Sequence, residues 1–278
     1  MSDSLRQYSF RASEVILNCV EGSADGPPIL LLHGMCDRWQ GLLPVIDHVS
    51  PRWHVHAFDM RGHGMSEHVS GGYLPRDYGR DAEEFLCDRL TEPAILVGHS
   101  AGGWLALWCA ARHPDRVRAV VNGDLFCSTE RLAALIRRPE SVAFYKALQP
   151  LAGQPEDQIA ASPLACHMPG QTLAEWSIAT SLLDPATLSH HADGDGITYV
   201  AGIDMDAILA QVTCPVLLVA GDPSCGGVMS EEDVGYACDQ LADARHASLD
   251  GVGHGLGLTT ARPEQLLQAI DDFIESLP

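Results

Sequence analysis

Residues 96–103 read Leu-Val-Gly-His-Ser-Ala-Gly-Gly, and the rest of the chain is interpreted outward from this stretch. An apolar run at 94–97 leads into the Gly-His-Ser-Ala-Gly motif, and a helix-like pattern follows at once. A G-x-S-x-G motif between a strand and a helix is typical of a tight turn that exposes a nucleophilic serine. Such a turn needs small neighbours, and Gly98, Ala101, Gly102 and Gly103 meet that need. We therefore interpret Ser100 as a nucleophile.

The composition is that of an enzyme-sized chain with a strongly acidic balance. The chain has 278 residues, 46% of them apolar, and a formal net charge of −20. This length accommodates one large α/β domain with an insertion. The negative charge argues against nucleic acid or an anionic membrane surface as a partner. No apolar run reaches the roughly 18 residues that are needed to cross a bilayer.

The cysteines and the first residues both indicate a reducing compartment. Nine cysteines are scattered without a C-x-x-C pair, and an odd, dispersed set argues against a disulfide framework. Residues 1–7 contain no basic segment followed by an apolar one, so we expect no signal peptide. A cytoplasmic protein is the simplest interpretation. The oligomeric state stays open, with a homodimer as one option.

Apolar runs alternate with helical patterns along most of the chain. This alternation predicts an α/β fold with a doubly wound, mostly parallel sheet. Two short β-type runs within residues 6–20 predict antiparallel strands at the start. Further strands are predicted at 29–32, 54–58, 94–97, 117–121, 215–222 and 246–249, and helices at 39–49, 77–90, 102–112, 231–241 and 263–277.

The pattern changes between residues 126 and 205. Runs of strand type almost vanish there, helical patterns dominate, and prolines interrupt them repeatedly. This predicts a helical lid inserted between two strands of the sheet. The expected organisation is a first core segment at 1–125, the lid at 126–205 and a second core segment at 206–278.

Four motifs occur in one order along nearly the whole chain outside the predicted lid. They are His33-Gly34, Asp59-x-Arg61-Gly62-x-Gly64-x-Ser66, Gly98-His99-Ser100-Ala101-Gly102 and Gly253-His254-Gly255. With these motifs the chain resembles the α/β-hydrolase superfamily, in particular its lid-bearing serine hydrolases of the esterase and lactonase kind. The resemblance implies the α/β-hydrolase fold and a loop at 59–66 that is mainly structural.

The resemblance also implies partners for the serine. A serine hydroxyl is a poor nucleophile until a base removes its proton, and His254 stands where the family has that base. The developing oxyanion needs preorganised N–H donors. Relatives take one from the residue after the nucleophile, here Ala101, and one from the loop after His-Gly, here Met35. Cys36 is the second choice for this latter donor.

The acid that orients the histidine is where this chain departs from the common pattern. The family usually has Gly-x-x-Asp after the strand that follows the lid, but this chain has Ser224 at that acid position. Asp124 follows the strand after the nucleophile, where some lid-bearing relatives place their acid, and we favour it. Asp222 is the alternative acid if its loop is shifted, and Asp250 and Asp206 are the less favoured candidates.

The lid is expected to select the substrate. Its apolar residues include candidate pocket walls, among which Phe126 and Trp176 come first. An apolar wall with few charges suits a neutral or hydrophobic small molecule. His190 and His191 lack a third ligand at a suitable spacing, so we expect no metal, and the chemistry implied by the resemblance needs no cofactor.

The leading hypothesis is a serine hydrolase that cleaves a carboxylic ester or lactone through an acyl-enzyme on Ser100. A C–C bond hydrolase and a perhydrolase of the same fold are close alternatives. A non-catalytic ligand-binding protein, like hormone receptors built on this fold, is the alternative from another class. Ser224 at the usual acid position is the feature that favours it.

Overall fold

The computed structural model describes residues 5–23, 25–125, 128–167, 170–258 and 262–277. Its strands are β1 (Arg6–Arg11), β2 (Ile16–Glu21), β3 (Pro28–Leu32), β4 (His54–Phe58), β5 (Ala94–His99), β6 (Val117–Gly123), β7 (Val216–Gly221) and β8 (Ala244–Leu249). They form one eight-stranded sheet in the order β1-β2-β4-β3-β5-β6-β7-β8. β2 pairs antiparallel with both β1 and β4, and the other pairs are parallel. The predicted doubly wound, mostly parallel sheet is therefore confirmed.

Helices follow most of the strands. They are α1 (Leu43–Val49), α2 (Pro75–Arg89), α3 (Ala101–Arg112), α4 (Thr129–Arg137), α5 (Pro139–Leu148), α6 (Glu156–Ala160), α7 (Gly170–Ser181), α8 (Ser189–Ala192), α9 (Gly196–Tyr199), α10 (Met205–Gln211), α11 (Glu231–Gln240) and α12 (Glu264–Glu275). Short 3₁₀ helices lie at Trp39–Leu42, Pro163–His167, Pro185–Leu188 and Pro223–Cys225. None of the described helices combines the length and the apolar character that a membrane crossing requires.

The continuous apolar strands are explained by a sheet that is covered on both faces. In β3, Leu30 and Leu32 point into the core on the α2 and α3 side, whereas Ile29 and Leu31 point into the core against α1 and α12. All four side chains are fully buried. Since successive side chains alternate between the two faces, one unbroken apolar run serves both cores.

The segment between β6 and β7 folds as helices over the carboxyl end of the sheet. Helices α4 to α9 bury small clusters of their own, with Leu148, Leu183 and Leu188 fully enclosed in one of them. The segment is tied to the core because the N–H of Asp184 donates to the carbonyl of Gly62, at 2.8 Å. This bond holds helices α4 to α9, which we call the helical roof, above the turn at Ser100, which we call the elbow.

Helix α10 packs with the core rather than with the roof. Met205 and Leu209 are buried in the same cluster as residues of α3, and the indole N–H of Trp104 donates to the Met205 sulfur at 2.9 Å. The chain therefore rejoins the core with α10.

The loop at 59–66 is held together by its own charged groups. The guanidinium of Arg61 is 1% exposed and makes two hydrogen bonds of 2.7 Å to the carboxylate of Asp81. The carboxylate of Asp59 accepts the backbone N–H of Trp39 at 2.8 Å. Paired, buried charges of this kind cross-link the loop to its neighbours, which agrees with the structural role that we expected for it.

Two histidines of the family motifs are fully buried and uncharged. His33 accepts the N–H of Met60 through Nε2, at 2.9 Å, and donates from Nδ1 to the carbonyl of Gly34, at 2.8 Å. Burial lowers the pKa of His33 to about 4 and that of His63 to about 3. Both rings therefore stay neutral in the folded protein at pH values where an unfolded chain takes up protons.

We expect His63→Gln to make the protein less sensitive to acid. The folded ring has a pKa of about 3 against 6.5 for the free side chain. The contribution of the neutral ring to the free energy of unfolding is therefore complete above pH 6.5 and is lost as the pH falls toward 3, because the unfolded chain takes up a proton that the folded one does not. At pH 5, the slope of the unfolding free energy against pH should fall by about 1.4 kcal/mol per pH unit in the variant. Urea denaturation between pH 5 and 7 measures this slope.

The same replacement at the exposed His246 on β8, away from His63, is the control for this experiment. An unchanged slope in His63→Gln, together with an unchanged slope in the control, would contradict a neutral buried ring at position 63.

Candidate active site

Ser100 sits on the sharp turn between β5 and α3. Its backbone has φ 52° and ψ −121°, a conformation that residues with a side chain rarely adopt. The turn is fastened on both sides, because the N–H of Ser100 donates to the carbonyl of Gly123 at 2.7 Å and its carbonyl accepts the N–H of Gly103 at 2.8 Å. Strain held in this way presents the serine hydroxyl at the carboxyl end of the sheet.

The glycines around the serine are required by space. A Cβ atom at Gly98 would lie 2.1 Å from the carbonyl oxygen of Gly102, and one at Gly102 would lie 2.1 Å from that of Leu32. Both contacts are with backbone, which cannot swing away. The motif is therefore rich in glycine because strand and helix approach each other so closely at the elbow.

A chain of two hydrogen bonds links the serine to a histidine and a carboxylate. Nε2 of His254 lies 3.1 Å from Oγ of Ser100. Nδ1 of the same ring lies 2.8 Å from Oδ2 of Asp124. The carboxylate is fully buried, whereas the imidazole is partly open to the cavity. The arrangement has the order and distances of a nucleophile, a general base and an orienting acid.

Backbone N–H groups hold the Asp124 carboxylate in place. Oδ1 accepts from Gly221 at 2.9 Å and from Met229 at 3.1 Å, and Oδ2 accepts from Val228 at 2.9 Å. Burial by itself raises the pKa of Asp124, but the hydrogen bonds from His254, Val228 and Gly221 outweigh it, so the pKa lies below its usual value. The carboxylate is therefore ionised and aimed at the ring in the resting protein.

Asp222, the alternative acid, is engaged elsewhere. Its carboxylate accepts the N–H of Ser224 at 2.8 Å and that of Gly251 at 3.0 Å, so it closes the turn after β7. Asp206 accepts the hydroxyl of Tyr236. Asp250 is bonded through its backbone to Gln265. Among the described residues, Asp124 is the carboxylate that the structure brings to His254.

The two expected oxyanion donors stand beside the serine. Ala101 is the first residue of α3, so its N–H has no partner within the helix. Met35 and Ala101 both line the cavity that contains the serine, and in the described chain neither N–H donates to another protein group. Cys36, the second choice, has φ 65° and packs toward the helices between β6 and β7.

His99, next to the nucleophile, braces the base. Its Nε2 donates to the backbone carbonyl of His254 at 2.7 Å, and the two rings lie 5.0 Å apart. Burial, followed by the neighbouring His254 ring, lowers the pKa of His99 to about 4. His99 is thus a neutral donor that fixes the loop of His254.

The serine opens into a cavity of about 350 Å³ between the sheet and the overlying helices. Most of its walls are apolar, with a smaller set of polar side chains among them. The lining residues are Met35, Met60, Pro75, Tyr78, Ser100, Ala101, Trp104, Leu105, Leu125, Leu132, Leu135, Ile136, Glu140, Ser141, Phe144, Tyr145, His191, Tyr199, Val228 and His254.

The two lid residues that sequence reasoning placed first are not found in this wall. Phe126 lies outside the described residues. Trp176 packs against Leu148 and Leu183 in a cluster inside the helical segment, so it is not among the residues that line the cavity. Tyr78, His191 and Tyr199 do line it and were not singled out. Their sequence positions carry no periodic signal that separates a cavity wall from a packed interface.

The structure brings one histidine- and carboxylate-rich group together away from the serine. Glu21, His54 and His56 have potential ligand atoms within 4.8 Å of one another on β2 and β4. The carboxylate of Glu21 is also ion-paired with Arg6 and Arg89. Two guanidinium groups at the carboxylate compete with a cation there, so the group is better described as a charge cluster where β2 ends beside the start of β4.

Comparisons with known proteins agree with this architecture. A family model described as "alpha/beta hydrolase fold" matches residues 27–254. A 2-(acetamidomethylene)succinate hydrolase from Mesorhizobium japonicum is 36% identical over 121 residues, which are 43% of this chain and 44% of that protein. An (E)-2-((N-methylformamido)methylene)succinate hydrolase from Acinetobacter baylyi is 25% identical over 267 residues, covering 91% of this chain and 92% of that protein.

A solved structure shows the same fold over its full length. The enol-lactonase from Burkholderia xenovorans superposes with a TM-score of 0.71 at 19% identity, covering 97% of this chain and 100% of that one. The family match spans more than half of the chain and contains both the serine elbow and His254. The chain belongs to the α/β hydrolase fold family.

Proposed function

We propose that this protein hydrolyses a neutral carboxylic ester or lactone through an acyl-enzyme on Ser100. The observation that carries the proposal is the continuous hydrogen-bonded chain from Asp124 through His254 to Ser100. A protein that only binds a ligand on this fold has no need of a base on its serine. The intact chain therefore favours a hydrolase over the receptor-like alternative that Ser224 suggested.

The geometry leads to a two-step reaction. Oγ of Ser100 attacks the carbonyl carbon while Nε2 of His254 takes its proton, and the ionised Asp124 stabilises the imidazolium. The oxyanion of the tetrahedral intermediate then accepts hydrogen bonds from the backbone N–H groups of Met35 and Ala101. His254 gives the proton to the departing alkoxide, which leaves as an alcohol from an ester or stays on the acyl chain as a hydroxyl group from a lactone. A water, deprotonated by the same ring, attacks the acyl carbon, and the ring returns this proton to Oγ of Ser100 as the acid is released.

The charge of the cavity supports a neutral substrate. None of its described lining residues is lysine or arginine, and one of them, Glu140, is an exposed acid. A carboxylate on the substrate would lose its hydration there without gaining a cationic partner. Two of the relatives are named as hydrolases of substituted succinates, and the substrate that we propose differs from such compounds in carrying no carboxylate.

We expect Asp124→Asn to lower kcat by about a thousandfold or more, because an amide no longer enforces the ring tautomer or stabilises the imidazolium. Asp222→Asn should stay within about threefold of the parent, because asparagine can still cap the turn. Kinetics with p-nitrophenyl butyrate measure both, with thermal melts as the check on folding. A larger loss for Asp222→Asn would show that the acid follows β7.

Ser100 should react with a fluorophosphonate probe. Its hydroxyl is bonded to an imidazole base, whereas Ser141, another serine of the cavity wall, makes no such contact among the described residues. Peptide mapping should find the label on Ser100. Ser100→Ala should lose labelling and hydrolysis of p-nitrophenyl butyrate, and Ser141→Ala should keep the label. Folded Ser100→Ala that still hydrolyses the ester would exclude the proposed acyl-enzyme.

Charge on the acyl group should be penalised. We expect kcat/KM for mono-p-nitrophenyl succinate to be lower than that for p-nitrophenyl butyrate by about tenfold or more, because its carboxylate is desolvated without a cation. Glu140→Gln should narrow the gap, whereas Glu156→Gln, an exposed glutamate outside the cavity, should not. Equal or faster turnover of the succinate ester would contradict a cavity for neutral substrates.

A further inference from the structure

Four polar side chains meet in the wall of the cavity, and the proposed chemistry does not use them. Tyr78 comes from α2 in the core, while Tyr145, His191 and Tyr199 come from α5, α8 and α9 in the segment above. The His191 ring lies between two of the phenols, with ring centres 4.7 Å from Tyr145 and 4.6 Å from Tyr199. We call these four residues the tyrosine–histidine cluster.

The polar atoms of this cluster lack protein partners. Tyr78 is 4% exposed and His191 is 6% exposed, yet neither Oη of Tyr78 nor Nδ1 of His191 has a hydrogen bond. In the described part of the chain, the hydroxyls of Tyr145 and Tyr199 also donate to no group. Buried polar groups are nearly always paired, because an unpaired one costs about 1–3 kcal/mol. Two such buried atoms, together with two phenol hydroxyls that line the cavity without a protein partner among the described residues, indicate that a ligand pairs with this wall.

The cluster carries no charge at neutral pH. Burial raises the pKa of Tyr78, Tyr145 and Tyr199, and Tyr199 adds to the rise at the other two. Burial lowers the pKa of His191 to about 4. The phenols are therefore O–H donors and the imidazole is neutral. Such a set suits an uncharged hydrogen-bond acceptor better than a carboxylate, which keeps stronger hydration in water.

We propose that the tyrosine–histidine cluster binds a second, uncharged carbonyl oxygen of the substrate, separate from the carbonyl that Ser100 attacks. This inference rests on the proposed function, because both groups line the same cavity. A carbonyl oxygen accepts two hydrogen bonds, so two phenols from the helical roof can engage it together. The cluster then selects esters that carry a ketone, amide or lactone carbonyl in either their acyl or their alcohol part over plain hydrocarbon esters.

The test compares matched substrates that differ by one ketone. One series contains p-nitrophenyl 4-oxopentanoate and 6-oxoheptanoate against the unsubstituted pentanoate and heptanoate. A second series places the ketone in the alcohol, as 4-oxopentyl butyrate against pentyl butyrate. We expect kcat/KM to favour the oxo ester by about tenfold in at least one series, which is the effect of one or two added hydrogen bonds.

Phenylalanine variants assign the preference to the cluster. Tyr145→Phe and Tyr199→Phe should each lower the oxo-to-plain ratio of kcat/KM by about threefold or more, and the double variant should bring the ratio close to one. The control is Tyr236→Phe, because this hydroxyl bonds to Asp206 outside the cavity. Its ratio should equal that of the parent. Thermal melts establish that each variant is folded.

Two results would overturn the inference. The first is a parent ratio near one in both series. The second is a preference for the oxo ester that survives in the folded double variant. Either result, with plain esters still hydrolysed and Ser100 still labelled, removes the role of the cluster and leaves the proposed function standing. Loss of plain ester hydrolysis by the parent is the separate failure of the proposed function.

Discussion

The hydrogen bond between Asp124 and His254 is the contact on which the rest of the site depends. It joins the end of β6 to the loop after β8, across the end of β7. The carboxylate of Asp124 also accepts the N–H groups of Gly221, Val228 and Met229, so a single side chain joins the end of β6 to residues 221–229 and to the loop of His254. Asp124 has a φ of 50°, in the left-handed region, so its backbone is strained in the conformation that places the carboxylate there.

The same edge of the sheet explains why these groups meet at all. Parallel strands end at one edge, and the side chains that follow β5, β6 and β8 therefore share a small volume above it. The elbow adds strain at Ser100, and His99 braces the opposite side through the carbonyl of His254. Rigid groups set in this way can stabilise developing charge without reorganising.

Much of the fold and the centre of the site could be predicted from sequence. The strands are short apolar runs, and Ser100 and His254 lie in short glycine-containing motifs that predict the turns on which they stand. The acid was harder, because Asp124 and Asp222 both follow strands that end at the same edge. What separates them is a set of backbone N–H donors from residues 221–229, and contacts of that range have no local signature in the sequence.

The residues of the helical roof that line the cavity could not be predicted from sequence patterns. Apolar helical residues were expected there, but periodicity does not tell which residue faces the cavity and which packs within the segment. Trp176 belongs to an internal cluster, while Tyr199 and His191 reach the cavity from one-turn helices that have too few residues to show a period.

The serine mechanism can be tested with a crystal structure of the protein after reaction with an alkyl p-nitrophenyl phosphonate. We expect phosphorus bonded to Oγ of Ser100 and a phosphonyl oxygen about 3 Å from the N–H groups of Met35 and Ala101. We also expect His254 to remain hydrogen-bonded to Asp124. An adduct on another residue, or a phosphonyl oxygen directed away from both N–H groups, would contradict this mechanism.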